Sequence, residues 1–180
     1  MSNKKLSTTK KGFTIIEVVL VLAIAGLIFL MVFVALPALQ RNQRDTQRRQ
    51  DYADTAAAVI GYASNNGGKL PTLASGTTYS QFTATKFINT SGKDPSGTNY
   101  SLTICSNVSA SGTNVTGTCE TNGGQAATGQ AVSTPTAGKV YVLVKTKCNN
   151  GTVSTNGATD KDFTIYGYME GAAYCNNYNI

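Results

Sequence analysis

The stretch that decides the fold is residues 11–39, KGFTIIEVVLVLAIAGLIFLMVFVALPAL, near the start of a chain of 180 residues. Its apolar character begins at Phe13, and from Val18 to Leu39 it carries no charged side chain. About 20 apolar residues in a helix match the hydrocarbon core of a bilayer, because each residue adds about 1.5 Å. A secretory signal peptide has a shorter apolar region of about 7–15 residues. The sequence therefore predicts a membrane-spanning helix over residues 13–39.

Basic residues flank this stretch on both sides. The leading lysines favour a cytoplasmic N-terminus, whereas the arginines beyond the span weaken that topology signal. The net charge of +6 falls to about +2 without the four leading lysines, which is below the usual footprint of a nucleic-acid-binding domain. We interpret the charge runs as topology signals and solvated faces, and we leave a nucleic-acid partner open. The flanking residues are Lys4, Lys5, Lys10, Lys11, Arg41, Arg44, Arg48 and Arg49.

Glu17 is the one acidic residue in the apolar stretch. A carboxylate inside a membrane span costs about 2.5–3.5 kcal/mol on insertion scales, and such a residue usually has a partner. Its position near one end would also let it reach the membrane interface. Neither a signal peptide nor a plain signal anchor explains why a glutamate stands there.

The basic leader, the Gly12–Phe13 junction, Glu17 and the apolar helix that follows at once together resemble the prepilin family. This family comprises type IV pilins and the pseudopilins of type II secretion. In it, a membrane-embedded aspartyl peptidase cuts after the glycine, the new N-terminal residue is N-methylated, and a glutamate stands at the fifth mature position. The resemblance implies cleavage between Gly12 and Phe13, methylation of Phe13 and an assembly role for Glu17. It covers the leader and the first helix.

Elementary chemistry supports that assignment. Cleavage would create an α-amine on Phe13 with a reference pKa of about 7.7–8.0, so it would be mostly positive at neutral pH. Glu17 follows four residues later on the same helical face. Our hypothesis is that Glu17 pairs with the Phe13 amine of an adjacent subunit, because a buried charge pair favours one axial register over others.

The helical pattern continues beyond the apolar stretch. Asp45 and Arg49 are spaced as an acid-before-base i, i+4 pair, and Asn65–Gly68 predicts the end of the helix. Pro37 predicts a kink or local loosening, because it cannot donate a backbone hydrogen bond to the carbonyl four residues earlier. An apolar stripe with helical spacing is formed by Tyr52, Ala53, Ala56, Ile60 and Ala63.

The remaining residues, 67–180, predict a β-rich domain. Residues 67–95 are expected to form a linking loop, and residues 106–137 a long polar hairpin tip or surface loop. One helix on a small antiparallel sheet is an α+β fold, which agrees with the pilin fold that the resemblance implies. The segments that alternate as strands are 100–104, 140–144 and 163–169.

Four cysteines lie in this C-terminal part, and none forms a C-x-x-C pair. An even number without metal-ligand spacing favours disulfides in an exported domain. Three pairings are open from the residues alone. We favour Cys148–Cys175, because pilins often close their C-terminal region in this way, together with Cys105–Cys119.

Several other functions find no support in the sequence. Histidine is absent, which removes the commonest acid–base side chain and metal ligand, and serine or cysteine has no histidine to activate it. We therefore predict no enzyme activity, no cofactor and no metal. Asp160, Asp162 and Glu170 could supply calcium ligands, but their spacing matches no EF-hand loop. The N-x-[ST] sequons are interpreted as chance matches; they begin at Asn89, Asn99, Asn107, Asn114 and Asn150.

The sequence predicts a cleaved leader of residues 1–12, a long helix of residues 13–66 and an extracytoplasmic domain of residues 67–180. The predicted function is a structural subunit of a type IV pilus-like filament, held in the cytoplasmic membrane before assembly and at the cell surface afterwards. The resemblance implies these partners: other copies of the chain, the prepilin peptidase, an inner-membrane platform protein and an assembly ATPase. Alternatives are a type II secretion pseudopilin and an uncleaved membrane-anchored surface binding protein. The residues do not choose among adhesion, motility, DNA uptake and secretion.

Overall fold

The structure is a computed structural model that describes residues 12–71, 92–111, 114–121 and 127–180. The chain divides into two units, Met1–Arg41 and Asn42–Ile180, and each is described by itself. The described residues form one helix and eight strands: α1 (Ile15–Asn65), β1 (Ser101–Ser111), β2 (Asn114–Thr121), β3 (Ala127–Ala131), β4 (Lys139–Val144), β5 (Lys147–Asn149), β6 (Thr152–Ser154), β7 (Asp162–Met169) and β8 (Ala172–Asn179).

The first unit contributes the apolar part of α1. The helix begins at Ile15, and the backbone N–H of Glu17 donates to the Thr14 carbonyl over 3.2 Å. Thr14 and Glu17 have the spacing of a capping box, in which two side chains serve the free N–H groups of the first turn. The helix runs through Pro37 without a break. By length and composition it can cross a membrane, and its most apolar window is 0% buried.

The second unit is built on a six-stranded sheet in the order β3-β2-β1-β4-β7-β8, with β5 and β6 paired separately. The α+β class is confirmed, and the predicted antiparallel sheet holds for every pairing of the six-stranded sheet but one. Strands β1 and β4 are parallel, with Ile104 opposite Val142. Parallel neighbours need a long crossover, and the chain between them supplies it through β2 and β3. The sheet is therefore mixed.

The three segments that alternate in the sequence coincide with β1, β4 and β7, except that Tyr100 directly precedes β1. The surface-loop alternative for residues 106–137 was wrong, because this range contains the end of β1 and all of β2 and β3. Part of the range is a hairpin, since β1 and β2 are antiparallel and Ser111 lies opposite Asn114. These strands lack large apolar side chains, and β3 is exposed throughout, so little alternation marks them. The predicted loop over residues 67–95 lies mostly within 72–91, outside the described residues.

One face of the sheet packs against the second part of α1. Val59 of the helix and Ile104, Val142 and Ile165 of the sheet are all 0% exposed. The predicted stripe is right at three of its positions, but Ala53 and Ile60 are exposed. Each buried helix residue lies three or four positions from another, as on one face of a helix; the set is Arg48, Tyr52, Thr55, Ala56, Val59 and Ala63.

The other face of the sheet has its own smaller core. Tyr141 and Leu143 point to it from β4, and Val153 of the β5–β6 hairpin packs there. Strand β4 is thus buried on both faces, while its valines face the helix.

The helix ends where the sequence predicts. The N–H of Gly68 donates to the carbonyl of Ala63 over 2.8 Å, and Gly67 has a φ of 67°. This is the Schellman pattern, in which a left-handed residue lets the chain turn back on the last carbonyls. Glycine adopts that conformation without the steric cost of a side chain.

At Gly167 of β7 the helix approaches the sheet closely. A Cβ added there would lie 2.5 Å from Cζ of Tyr52, whose ring is 1% exposed and whose hydroxyl donates to the Tyr168 carbonyl over 2.7 Å. We therefore expect Gly167→Ala to lower the free energy of unfolding by about 1–3 kcal/mol, as overpacking does. Urea unfolding of the full chain in detergent micelles measures it.

Gly61→Ala is the matched control, because a Cβ at Gly61 meets no atom within 4 Å. It should leave stability unchanged or raise it by up to about 1 kcal/mol through helix propensity. Equal urea midpoints for Gly167→Ala and the parent protein would contradict the tight approach.

Candidate processing and assembly site

The segment from Gly12 to Thr14 precedes the helix and is exposed. The Gly12–Phe13 bond therefore lies outside the helical hydrogen bonds, where a peptidase can bind the backbone of both residues. Phe13 is 86% exposed. The predicted cleavage and methylation residues are thus adjacent to the helix but not part of it.

Glu17 lies in the first turn of α1 and is exposed. The Thr14 hydroxyl donates to its carboxylate over 3.4 Å, at the long end of hydrogen-bond distances. The first turn of a helix favours a negative charge, because its free N–H groups point towards it. Phe13, Glu17, Val18 and Val21 line one shallow groove of about 330 Å³. Phe13 and Glu17 of one chain therefore lie side by side along this groove.

Large apolar side chains surround the first part of α1 on all sides. Phe29 is 65% exposed, Leu30 67% and Phe33 73%. A helix that is apolar around its whole circumference is stable when lipid or other protein covers it. Residues 13–39 would span about 40 Å as a helix, so the surface that needs cover is long and continuous.

The structure also shows an ionic cluster, centred on Arg48, that sequence reasoning missed. Arg48 is 0% exposed, and its guanidinium donates to both carboxylate oxygens of Asp94, over 2.6 and 2.9 Å. It also donates to Asp45 over 2.8 Å and lies 5.0 Å from the ring centre of Tyr168. The predicted Asp45–Arg49 pair was wrong, because Asp45 contacts Arg48 instead. The spacing in the sequence could have indicated that Arg48 is buried, since it stands four residues before Tyr52 on the buried stripe.

Two further residues complete the cluster. Glu170 accepts from Arg44 over 3.0 Å and lies 3.4 Å from Arg48. The cluster joins three separate parts of the second unit: the helix, the segment with Asp94 and the turn between β7 and β8. Hydrogen bonds between the charged side chains of the cluster have preferred directions, and they therefore fix the relative positions of these three segments.

Contacts within the cluster shift the pKa values of its members. Hydrogen bonding to Asp94 and Asp45 raises the pKa of Arg48 further above its already high ordinary value. Burial alone would raise the pKa of Asp94, but the hydrogen bonds from Arg48 and Ser96 outweigh it and lower that pKa. The hydrogen bond from Arg44 lowers the pKa of Glu170. All three groups are therefore charged at neutral pH.

The four cysteines form two disulfides, Cys105–Cys119 and Cys148–Cys175. The first joins directly opposed residues of β1 and β2, and both of its cysteines are buried. The second ties the β5–β6 hairpin to β8, the last strand of the sheet. The same two pairs were favoured from the sequence.

The three acidic residues considered for calcium are held apart by different partners. Asp160 pairs with Lys145 over 3.0 Å. Asp162 accepts from the backbone N–H of Thr159 over 2.7 Å. Glu170 belongs to the Arg48 cluster. Among the residues that the structure describes, no group of three or more His, Cys, Asp or Glu side chains could hold a metal ion.

The Arg48 cluster makes a testable contribution to stability. We expect Arg48→Met to lower the free energy of unfolding at pH 7 by about 3–5 kcal/mol, because it leaves Asp94 buried without its partner. The parent protein should lose stability as the pH falls through the pKa of Asp94, which is depressed in the fold. The variant should instead gain as its unpaired carboxylate is protonated. The difference between them should therefore shrink as the pH falls from 7. Protonation of the variant's carboxylate acts first, and loss of the charge on Asp94 in the parent acts below the ordinary aspartate pKa of about 3.9. Urea unfolding measures both.

Arg49→Met is the control, because Arg49 is the next residue along the helix and is exposed. Its effect should stay within about 0.5 kcal/mol. A difference between the Arg48 variant and the parent that does not change with pH would contradict the account of Asp94.

Comparison with known proteins bears on the N-terminal segment. The model of the prokaryotic N-terminal methylation motif matches residues 8–33. No curated protein and no solved structure matches the chain. The match spans the Gly12–Phe13 junction, Glu17 and most of the apolar stretch, so the resemblance stated from these residues is confirmed. The N-terminal segment of this chain carries the prokaryotic N-terminal methylation motif, the signal motif of type IV prepilin-like proteins.

Proposed function

We propose that this chain is the precursor of a structural subunit of a type IV pilus-like filament. In this proposal it is cut after Gly12, methylated on Phe13 and polymerised through the first part of α1. The observation that carries the proposal is the methylation motif at residues 8–33 on a helix whose apolar side chains are exposed all round. The motif family is structural, which also supports a role other than catalysis.

Both anchoring and polymerisation would cover the apolar surface of the helix. Lipid would cover residues 13–39 as long as the subunit stays in the membrane. When a filament leaves the membrane, the same side chains must be covered by other subunits, since about 25 cal/mol is lost for each Å² of apolar surface returned to water. The helix carries no charged side chain from Val18 to Leu39, so equivalent helices can pack along this whole length.

Glu17 would give the packed helices a preference for one axial register, which apolar contacts alone do not provide. Apolar contacts are non-directional, so a bundle of such helices could slide. A carboxylate paired with the Phe13 amine of a neighbouring subunit would favour one position and leave an unpaired charge at others. Before cleavage, Phe13 has no α-amine, so cleavage would also control when this pair can form.

The proposal implies a set of partners and locations. The prepilin peptidase would act on the membrane-held precursor, and a platform protein and an assembly ATPase would drive polymerisation towards the cell surface. A type II secretion pseudopilin shares the same N-terminal chemistry and is the second candidate. Long filaments sheared from the cell surface would favour the pilus, whereas retention in the envelope would favour the pseudopilin.

Mass spectrometry of the N-terminal peptide tests processing. In protein sheared from the cell surface, the peptide should begin at Phe13 and be heavier by one methyl group. Gly12→Val should block the cut, because the peptidase in this family cuts after a glycine, and should leave precursor in the membrane. Recovery of residues 1–12 on the surface protein would leave an uncleaved anchored protein in place of a filament subunit.

Glu17→Ala tests the assembly role separately. We expect the variant to insert into the membrane as the parent does, because it removes a charge from an apolar span, and to yield at least tenfold fewer sheared filaments. Val18→Ala is the control, since it trims a neighbouring apolar side chain and keeps the carboxylate. Membrane fractionation and filament yield are the two measurements. A normal filament yield from Glu17→Ala would contradict the register role.

A further inference from the structure

A groove of about 470 Å³ lies beside β8, the last strand of the six-stranded sheet. Three elements of the second unit line it: α1 with Asp45 and Arg49, the β7–β8 hairpin with residues 169–170 and 172–176, and the β5–β6 turn with Gly151. The helix packs on one face of the sheet, and the β5–β6 hairpin packs on the other. The groove, which we call the edge groove, therefore contains the free edge of β8 between these two elements.

The free edge of β8 presents unpaired backbone groups. Among the described strands, β8 pairs with β7 alone. In an antiparallel pair, alternate residues direct their N–H and C=O groups away from the partner strand. The backbone N–H of Asn177 donates to the side chain of Asn176 over 3.1 Å, so Asn177 is an outward residue, and so are Ala173 and Cys175. A row of donors and acceptors with this spacing selects an extended polypeptide.

Strand β8 lacks the features that usually protect a sheet edge from other chains. Its residues, Ala172–Asn179, include no charged side chain and no proline, and they pair with β7 in one unbroken register. Charges, prolines and bulges are the common means of preventing edge-to-edge pairing. The strand at the other end of the sheet, β3, is also uncharged and is exposed at every residue. Both ends of the sheet are therefore open to pairing between copies.

The two edge strands run in the same direction. Strand β1 is antiparallel to β2, and β2 is antiparallel to β3, so β3 runs with β1. Strand β4 is parallel to β1, and the antiparallel pairings of β4 with β7 and of β7 with β8 make β8 run with β4. A second copy in the same orientation can therefore add its β3 to β8 as a parallel neighbour. Pairing of β8 with another β8 would instead require a two-fold axis, which turns one copy over.

We propose that β3 of one copy adds to β8 of the next copy, so that the sheets of neighbouring subunits are continuous. This inference rests on the proposed filament, in which subunits leave the membrane through the same helix and all keep one orientation. It adds a contact between the second units to the packing of the first parts of α1. Each copy uses two different edges, and such a head-to-tail contact continues from subunit to subunit without closing a dimer.

The sequence of β3 suits the edge groove but limits the length of the contact. Four of its five residues are Ala, Thr or Gly, and small side chains fit between a helix and a turn. Gly129 has a φ of 74°, and the register with β2 shifts between Gln130 and Ala127. An irregularity of this kind bends a strand. Only a few residues can therefore pair, so the contact supplements the packing of the helices.

Cross-linking within sheared filaments tests the pairing. The double variant carries Ala131→Cys at the end of β3 and Asn176→Cys on β8, and both positions are exposed. A short bismaleimide joins neighbouring strands in more than one register. The four native cysteines do not react with it, because they form disulfides. We expect a ladder of covalent trimers and longer multimers from the double variant, and none from either single variant, which are the matched controls.

Hydrogen exchange of the unaltered protein tests the same contact without a substitution. Backbone amides of residues 173–177 should exchange at least about tenfold more slowly in sheared filaments than in detergent micelles, because pairing with β3 would protect the outward N–H groups. Residues 155–161, which lie outside both edge strands, serve as the reference. If the double variant forms no filaments, this measurement on the parent protein decides.

The outcomes separate this contact from the filament itself. Normal filaments without a ladder from the double variant, or with residues 173–177 exchanging as they do in micelles, would overturn the strand pairing and leave the filament proposal standing. Dimers from Asn176→Cys alone would show that β8 pairs with itself, which also refutes the pairing with β3. Absence of filaments from the parent protein would overturn the proposed function and this contact together.

Discussion

The first part of α1 imposes the constraint on which the rest of the molecule depends: its apolar side chains must be covered by something other than the rest of the described fold. None of its most apolar window is buried, and side chains as large as Phe33 remain 73% exposed. Because each Å² of such surface costs about 25 cal/mol in water, the chain is unstable in water without lipid or neighbouring copies. A molecule with this helix has to be either inserted or assembled.

The second unit differs from the first part of α1, because its apolar side chains are buried in a small core of its own. Its half of α1 buries one stripe from Tyr52 to Ala63 against the sheet, and the Cys105–Cys119 disulfide lies in the second core behind it. Disulfides stabilise such a domain mainly by limiting the unfolded chain, typically by about 2–4 kcal/mol each. The Arg48 cluster adds geometric specificity, because its hydrogen bonds can form only when the helix, Asp94 and the β7–β8 turn meet correctly.

Hydrophobic periodicity predicts a helix or strand correctly where one residue type dominates a face of that element. The apolar run gave the helix, Asn65–Gly68 its end, and the alternation around Val142 a strand. It failed at β2 and β3, because their Thr, Gly and other small or polar residues are typical of loops. The sequence does not show a register such as Cys119 opposite Cys105. Arg48 was treated as a solvated charge, because burial of a cation depends on partners 46 and 122 residues away. Parallel pairing of β1 with β4 likewise depends on tertiary contacts that no local pattern encodes.

Arg48 and Glu17 show two ways in which a charge can be kept away from water. Arg48 meets Asp45, Asp94 and Glu170 within its own subunit, so its cost is offset as soon as the domain folds. Glu17 accepts one long hydrogen bond from Thr14 in the same chain, which is far less than a carboxylate in an apolar environment requires. In the proposed filament, a neighbouring subunit supplies the second charge. A pair formed within one chain between Glu17 and the amine created at Phe13 would not depend on where a neighbouring helix lies. A pair formed between two chains would fix the axial position of one helix relative to the next.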